Sequence, residues 1–97
     1  MIRHICMFKL KEENKAANLA EMLSRAQSLY EIPFMESMKV VTNDPATPES
    51  NYDICLICDF KDVESLNAYQ NSPIHVRFGQ YVGTIRQDRA CIDYHYE

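Results

Sequence analysis

Glycine is scarce in this chain. There are two, Gly79 and Gly83, so no glycine-rich loop can wrap a nucleotide phosphate. A surplus of positive charge is also missing: 10 Lys and Arg stand against 14 Asp and Glu, a net charge of −4. Phosphate-backbone binding and attachment to anionic lipid both rest on such a surplus. No nucleic-acid or membrane partner is therefore expected. Long apolar runs are absent too. The stretch Ile5-Cys-Met-Phe8 is followed at once by Lys9, Lys11, Glu12 and Glu13. It is too short for the core of a signal peptide and far from the roughly 20 residues of a membrane span. These absences point to the cytoplasm, where Cys6, Cys55, Cys58 and Cys91 are expected to stay reduced.

With 97 residues, the chain is expected to form a single domain, residues 1–97, with one modest core. A chain of this size buries roughly 60–65% of its unfolded surface, which leaves little to wall off a large cavity. Residues 2–10 alternate as a strand, with Ile2, His4, Cys6, Phe8 and Leu10 on one face and Arg3, Ile5, Met7 and Lys9 on the other. Residues 13–31 carry Leu19, Met22, Leu23, Ala26 and Tyr30 at helical spacing, with Glu12 and Glu13 at the positive end. Residues 35–42 read as a second strand. The proline-containing stretch Asn43–Asn51 reads as an exposed loop.

Residues 52–60 form a third strand. Ile54, Leu56, Cys58 and Phe60 make one apolar face, and Cys55 and Ile57 the other. Asp62 is placed to cap a helix that turns Val63, Leu66 and Tyr69 inward. A further helix starts at Pro73 and is expected to stop at Gly83. Residues 87–96 complete the set, Ala90, Ile92, Tyr94 and Tyr96 alternating with Cys91, Asp93 and His95. The order βαββαβ defines an α+β, ferredoxin-like fold: a four-stranded antiparallel sheet with helices on one face. The uncovered face would carry Ile5, Met7, Cys55, Ile57 and Cys91. That patch is too apolar for a lone soluble chain, and a symmetric homodimer, sheet against sheet, is the simplest cover.

The chemistry concentrates at Tyr69-Gln-Asn-Ser-Pro73-Ile-His75-Val-Arg-Phe-Gly79. The residue before a proline avoids the helical region, so one helix ends near Ser72. Ser72 then caps the next, with Pro73 at its first position. Tyr69 ends one helix and His75 opens another. His75 suits general-base work at neutral pH, or else its ring orders the junction through a backbone carbonyl. Tyr69 could donate a proton to an oxyanion, or fill the core with one hydrogen bond. His4 is a ligand contact or a hydrogen-bonded core histidine, and His95 reads as solvated. Cys55-Leu-Ile-Cys58 is formally a C-x-x-C motif. It lies inside an apolar strand, where residues three apart face opposite ways, which speaks against a metal knuckle or redox motif. All four cysteines fall within apolar strand runs, where a free Cys behaves as a small hydrophobe, so no structural metal and no disulfide are expected, and no cofactor either.

Two segments resemble a known family. Met1-Ile-Arg-His4-Ile-Cys-Met-Phe8-Lys9-Leu-Lys resembles the first strand of the stress-responsive A/B barrel domain (Dabb) proteins. Phe60-Lys-Asp-Val-Glu-Ser-Leu-Asn-Ala-Tyr69, continuing through Pro73 and His75-Val-Arg-Phe-Gly79, resembles the family's second signature. The resemblance implies a dimeric α+β barrel, in a family most of whose bacterial members have no known activity and whose name suggests a stress-related role. In a plant branch that works as a polyketide cyclase, the Tyr and His matching Tyr69 and His75 line a pocket and act in an aldol cyclisation, with the His matching His4 nearby. This chain departs from that branch. Ile54 stands where a third-strand His is found, a pocket Tyr of the first helix falls near Arg25 or Ala26, and Ser72 replaces the usual His before the proline.

The candidate catalytic pair is thus His75 and Tyr69, and the candidate ligand wall is His4, Cys6, Phe8, Ile54, Phe60 and Phe78. Two functions stay open. One is a homodimeric module that binds a small apolar or aromatic molecule between sheet and helices. The other is a cofactor-free acid–base enzyme acting on a small carbonyl compound. RNA binding, which this topology also supports, would need exposed aromatics and basic residues on the third strand. That strand offers Asp53, Cys55, Ile57 and Asp59 instead.

Overall fold

The first strand, β1 (Ile2–Leu10), lies between two neighbours and organises the sheet. The structure is a computed structural model and describes residues 1–97. After β1 come α1 (Lys15–Ala26), a 3₁₀ segment (Gln27–Glu31), β2 (Ser37–Thr42), β3 (Ile54–Phe60), α2 (Val63–Asn71), α3 (Pro73–Ile85) and β4 (Arg86–His95). The four strands form one antiparallel sheet in the order β2-β3-β1-β4. This is the ferredoxin-like arrangement expected from the element order. No helix is long and apolar enough to cross a membrane.

Alternation decides which side chains form the core. Along β1, Ile2, His4, Cys6, Phe8 and Leu10 are all buried, and Ile54, Leu56, Cys58 and Phe60 of β3 join them on the same face. The helices supply Met22, Ala26, Leu66, Tyr69, Phe78, Val82 and Ile85. On the reverse face, Ile5 pairs with Ile57 on one side and Ile92 on the other, and Met7 pairs with Cys55 and Ala90. Ile92 is 62% exposed and Met7 37%. The protomer therefore presents a continuous apolar patch on the face that no helix covers.

The helix junctions follow local chemistry. The Asp62 carboxylate accepts from the Ser65 N–H at 2.8 Å. Ser72 takes the extended conformation that a following proline imposes (φ −60°, ψ 137°). Its hydroxyl accepts from the Ile74 N–H at 3.3 Å. Other details differ from expectation. The first helix tightens into the 3₁₀ segment at Gln27. That shift of phase buries Leu29 and leaves Tyr30 53% exposed, its hydroxyl donating to the Met38 carbonyl. Val63, at the first position of α2, is also exposed. Gly83 does not stop α3, which runs on to Ile85 and passes directly into β4. Glu12 and Glu13 precede the helix rather than sit in its first turn. α1 begins after Asn14, whose left-handed backbone (φ 56°) is one that asparagine tolerates.

The largest correction concerns the cysteines. Cys91 does not share the open face with Ile5 and Met7. It pairs with Cys6 across β1 and β4, and antiparallel partners point to the same side. Cys91 therefore lies on the helix side, and the two sulfurs are joined in a disulfide. The expectation of four free thiols fails because sequence alternation shows that Cys91 and Ile92 face opposite ways, but not which of the two faces inward. The pairing register decides that. Cys55 and Cys58 are free.

Arg3 and Asp59 close the rim of the sheet with two hydrogen bonds, at 2.8 and 3.1 Å. The guanidinium, aided by Tyr96 and Ser37, outweighs burial and holds the Asp59 carboxyl down at about 2. The pair's stabilisation is thus complete above the ordinary carboxylate range, near pH 4, and is lost as pH falls from about 4 towards 2. Urea melts at pH 5 and pH 2.5 should show a larger loss of stability for the wild type than for Asp59→Asn, whose profile across this window should be flatter.

Candidate functional site

Between the inner face of the sheet and α3 lies a cavity of about 120 Å³. His4, Cys6 and Phe8 come to it from alternate positions of β1, Leu56 from β3, Tyr69 from the last turn of α2, and His75, Phe78 and Val82 from successive turns of α3. Arg86 and Arg89 of β4 stand on the same wall. Ile54 and Phe60, named as candidate wall residues, are instead packed in the core and do not line the cavity. Phe60 supports the site from below, its ring centroid 5.0 Å from that of Tyr69.

The Ser72-Pro73 junction brings the Tyr69 and His75 rings together, with centroids 4.7 Å apart and planes tilted by 60°. Tyr69 is 1% exposed. Burial, together with the neighbouring Cys58 thiol, raises its pKa well above the ordinary phenol value. Burial likewise pushes the Cys58 thiol up to about 12. Both groups keep their protons throughout the working pH range. Tyr69 can donate a hydrogen bond but cannot act as a base. His75 is half-buried. Desolvation, and then the proximity of His4, lower its pKa, while the Gln70 backbone carbonyl pulls the other way. Its ring is neutral at pH 7, which is the state a general base needs.

His4 is buried, at 4% exposure. Its Nδ1 is hydrogen-bonded to the Asp93 carboxylate across the β1–β4 pair. A carboxylate on one ring nitrogen fixes the tautomer and leaves Nε2 as the nitrogen available to a ligand. This is a base-and-orienter arrangement, built from residues 89 positions apart. Sequence reasoning passed over Asp93 as part of a solvated end. It also missed Arg89, which shares with Cys91 and Asp93 the face taken to be open, and Arg86, because the register of β1 with β4 shifts between Lys9 and Leu10. Arg89 pairs with Phe8 and Arg86 with Leu10, so residues three apart share the inner face, which simple alternation forbids.

A wider groove of about 650 Å³ lies by the open sheet face, lined by Met7, Val41, Tyr52 and Cys55 among others. It holds no histidine, and its polar lining comes from Thr42 and the loop residues Asn43, Asp44, Thr47, Ser50 and Asn51; the sequence-named Tyr69, His75 and His4 meet only at the smaller cavity.

The order of elements, the sheet and the His4 strand define an A/B barrel protomer. Residues 2–96 match the Stress responsive A/B Barrel Domain, and the chain belongs to that Dabb family. No curated protein matches it. Among solved structures it is similar to a dimeric protein of unknown function and ferredoxin-like fold from Bacteroides fragilis, at 25% identity over 98% of this chain and 95% of that one, with a TM-score of 0.83. A Dabb family protein from Mesorhizobium loti is 22% identical over 99% and 96% of the two chains, with a TM-score of 0.84. A hydroxynitrile lyase from Passiflora edulis is 18% identical over 96% and 90%, with a TM-score of 0.81; at that identity the likeness is one of fold.

The lowered His75 pKa has a consequence for stability. A histidine that must stay neutral in the fold contributes stability above its unfolded value near 6.5, and that contribution is lost as pH falls through the folded value. In ring-proton NMR, the His75 midpoint should lie below the ordinary imidazole value of about 6.5. A His75 midpoint at or above 6.5 would show the ring to be hydrated or paired with an acid.

Proposed function

We propose that this protein is a homodimeric Dabb module that binds a small aromatic or apolar molecule between sheet and helices. The observation that carries the reading is the cavity itself. Its interior is apolar, and a few polar groups converge on it, which is the usual composition of a small-ligand site. A volume of about 120 Å³ suits one ring, since a buried space of about 150 Å³ holds benzene. Arg86 and Arg89 on the wall favour a ligand carrying a carboxylate or an enolate. The dimer is supported by the apolar patch of Ile5, Met7, Cys55 and Ile57, now extended by Ile92, and by similar proteins of this fold that are themselves dimers.

A second reading is favoured by the His4–Asp93 pair. With Asp93 orienting His4, neutral His75 opposite and the protonated Tyr69 phenol beside it, the cavity holds the parts for cofactor-free proton transfer on a small carbonyl compound. In this reading His4 Nε2 or His75 removes the proton next to the carbonyl, and the arginines steady the enolate. One protein of similar fold is a hydroxynitrile lyase from Passiflora edulis.

His75→Ala separates the readings. For a catalyst, turnover of a panel of hydroxybenzaldehydes and β-diketones should fall about 10²–10⁴-fold with the melting temperature little changed. For a binding module, affinity for the same compounds should fall modestly and no turnover should be seen in either protein. A drop in stability with no effect on any ligand would make His75 structural. The assembly has its own test. Ile57→Asp would bury an unpaired charge at a sheet-to-sheet contact, so sedimentation should show a dimer for the wild type and a monomer for the variant. A monomeric wild type at micromolar concentration would remove the dimer.

A further inference from the structure

The Cys6–Cys91 disulfide does not stand alone. His4 is one step along the same inner face, and the donor atoms of His4, Cys6 and Cys91 lie within 4.8 Å of one another. We propose that, once this disulfide is reduced, these three side chains form a binding site for one thiophilic divalent cation, zinc, at the wall of the cavity.

The donor set fits that ion. Two thiolates and an imidazole are ordinary zinc ligands. The zinc–sulfur bond is about 2.3 Å, so two thiolates on one tetrahedral ion stand about 3.8 Å apart. The Cα atoms of Cys6 and Cys91 are 4.2 Å apart, and rotation of the two side chains reaches that spacing with the strands in place. His4 is already oriented for the task. Asp93 occupies Nδ1, leaving Nε2 as the ligating nitrogen, and a carboxylate behind a ligating histidine is the usual support of such sites. Three protein donors leave the fourth position open, and because His4 and Cys6 line the cavity, that position belongs to water or a ligand there. Cys91 is exposed, which gives reductant and metal an approach.

The switch between states balances as thiol–disulfide exchange. A thiolate of a dithiol reductant attacks one sulfur of the Cys6–Cys91 bond, and that bond breaks. The reductant's second thiol then resolves the mixed disulfide. Two electrons pass from the reductant to the protein, the reductant becomes a disulfide, and Cys6 and Cys91 gain two protons. Binding of the cation displaces those protons from the thiols. The expectation of a metal-free chain rested on cysteines placed within apolar strand runs, where each acts as a small hydrophobe; the β1–β4 register instead sets Cys6 and Cys91 side by side next to His4. The proposal does not depend on the small-molecule reading, since no organic ligand enters it.

Titration of the full chain with cobalt(II), as a coloured stand-in, and with zinc(II) against a chromophoric chelator tests it. Phosphine-reduced protein should take one equivalent of either ion, with a thiolate-to-cobalt charge-transfer band, and the disulfide form should take none. Cys91→Ser, at an exposed position, should weaken zinc binding at least about 10-fold, and Asp93→Asn about 10–100-fold. Cys55→Ser should leave binding unchanged. Circular dichroism confirms that each variant is folded. No binding by the reduced wild type, equal binding by both redox forms, or wild-type affinity in Cys91→Ser would overturn the proposal.

Discussion

β1 is the strand on which the rest of the molecule depends. It is hydrogen-bonded on both edges, to β3 and to β4, and its side chains alternate between two very different settings. One face meets the helices and supplies core, cavity wall and His4 together. The other carries Ile5 and Met7 onto the open patch. A slip of one residue would exchange the two sets, exposing Phe8 and Leu10 and turning Arg3 and Lys9 into the core. The hydrophobic pattern therefore fixes the register, and the register fixes the site. A buried histidine on such a strand needs a partner for its polar atoms. The same register supplies it, because His4 faces Asp93.

The buried titratable groups of α2, α3 and β3 in and beneath the cavity are uncharged. Burial holds Tyr69 and Cys58 in their protonated forms and His75 in its neutral one. Charge enters from β4, as the Asp93 carboxylate behind His4 and the two arginines, Arg86 and Arg89, on the wall. An apolar pocket with neutral donors inside and fixed charges from one strand is the setting the proposed ring-compound ligand would meet. The helix break is what makes this possible. Had α2 run on through Ser72, Tyr69 and His75 would lie six residues apart along one helix, on different faces. The pre-proline turn folds the chain back and sets their rings in contact.

Much of this was legible in the sequence because it is local. Period-two alternation marked β1 and β3. Asp62 and Ser72 carried their capping chemistry in their own side chains, and Pro73 announced its helix. The family motif around His4 and the junction motif named Tyr69, His75 and Phe78, all of which line the cavity. What escaped depends on distant pairing. The Asp93 contact to His4 and the Cys6–Cys91 bond join residues at opposite ends of the chain, and no spacing rule links them. Arg86 and Arg89 share a face only because the β1–β4 register shifts. Leu29 replaced Tyr30 in the core because a helix tightened by a fraction of a turn, which the residues 26–31 do not signal.

The disulfide and the histidine pair bear on each other through geometry. Cys6 and His4 are two residues apart on β1, and Cys91 and Asp93 face them across the ladder. Four adjacent side chains thus form a square of two sulfurs, an imidazole and a carboxylate. While the sulfurs are bonded to each other, His4 keeps its Nε2 lone pair and can serve as a base. If the sulfurs are freed and share an ion with His4, that lone pair is consumed, and the open coordination position becomes the reactive point on the same wall. The two chemistries exclude one another at a single nitrogen. A reducing compartment supplies thiols and an oxidising one supplies the disulfide. Under the proposed zinc site, the redox state of Cys6 and Cys91 would decide whether His4 Nε2 is free or held by the ion.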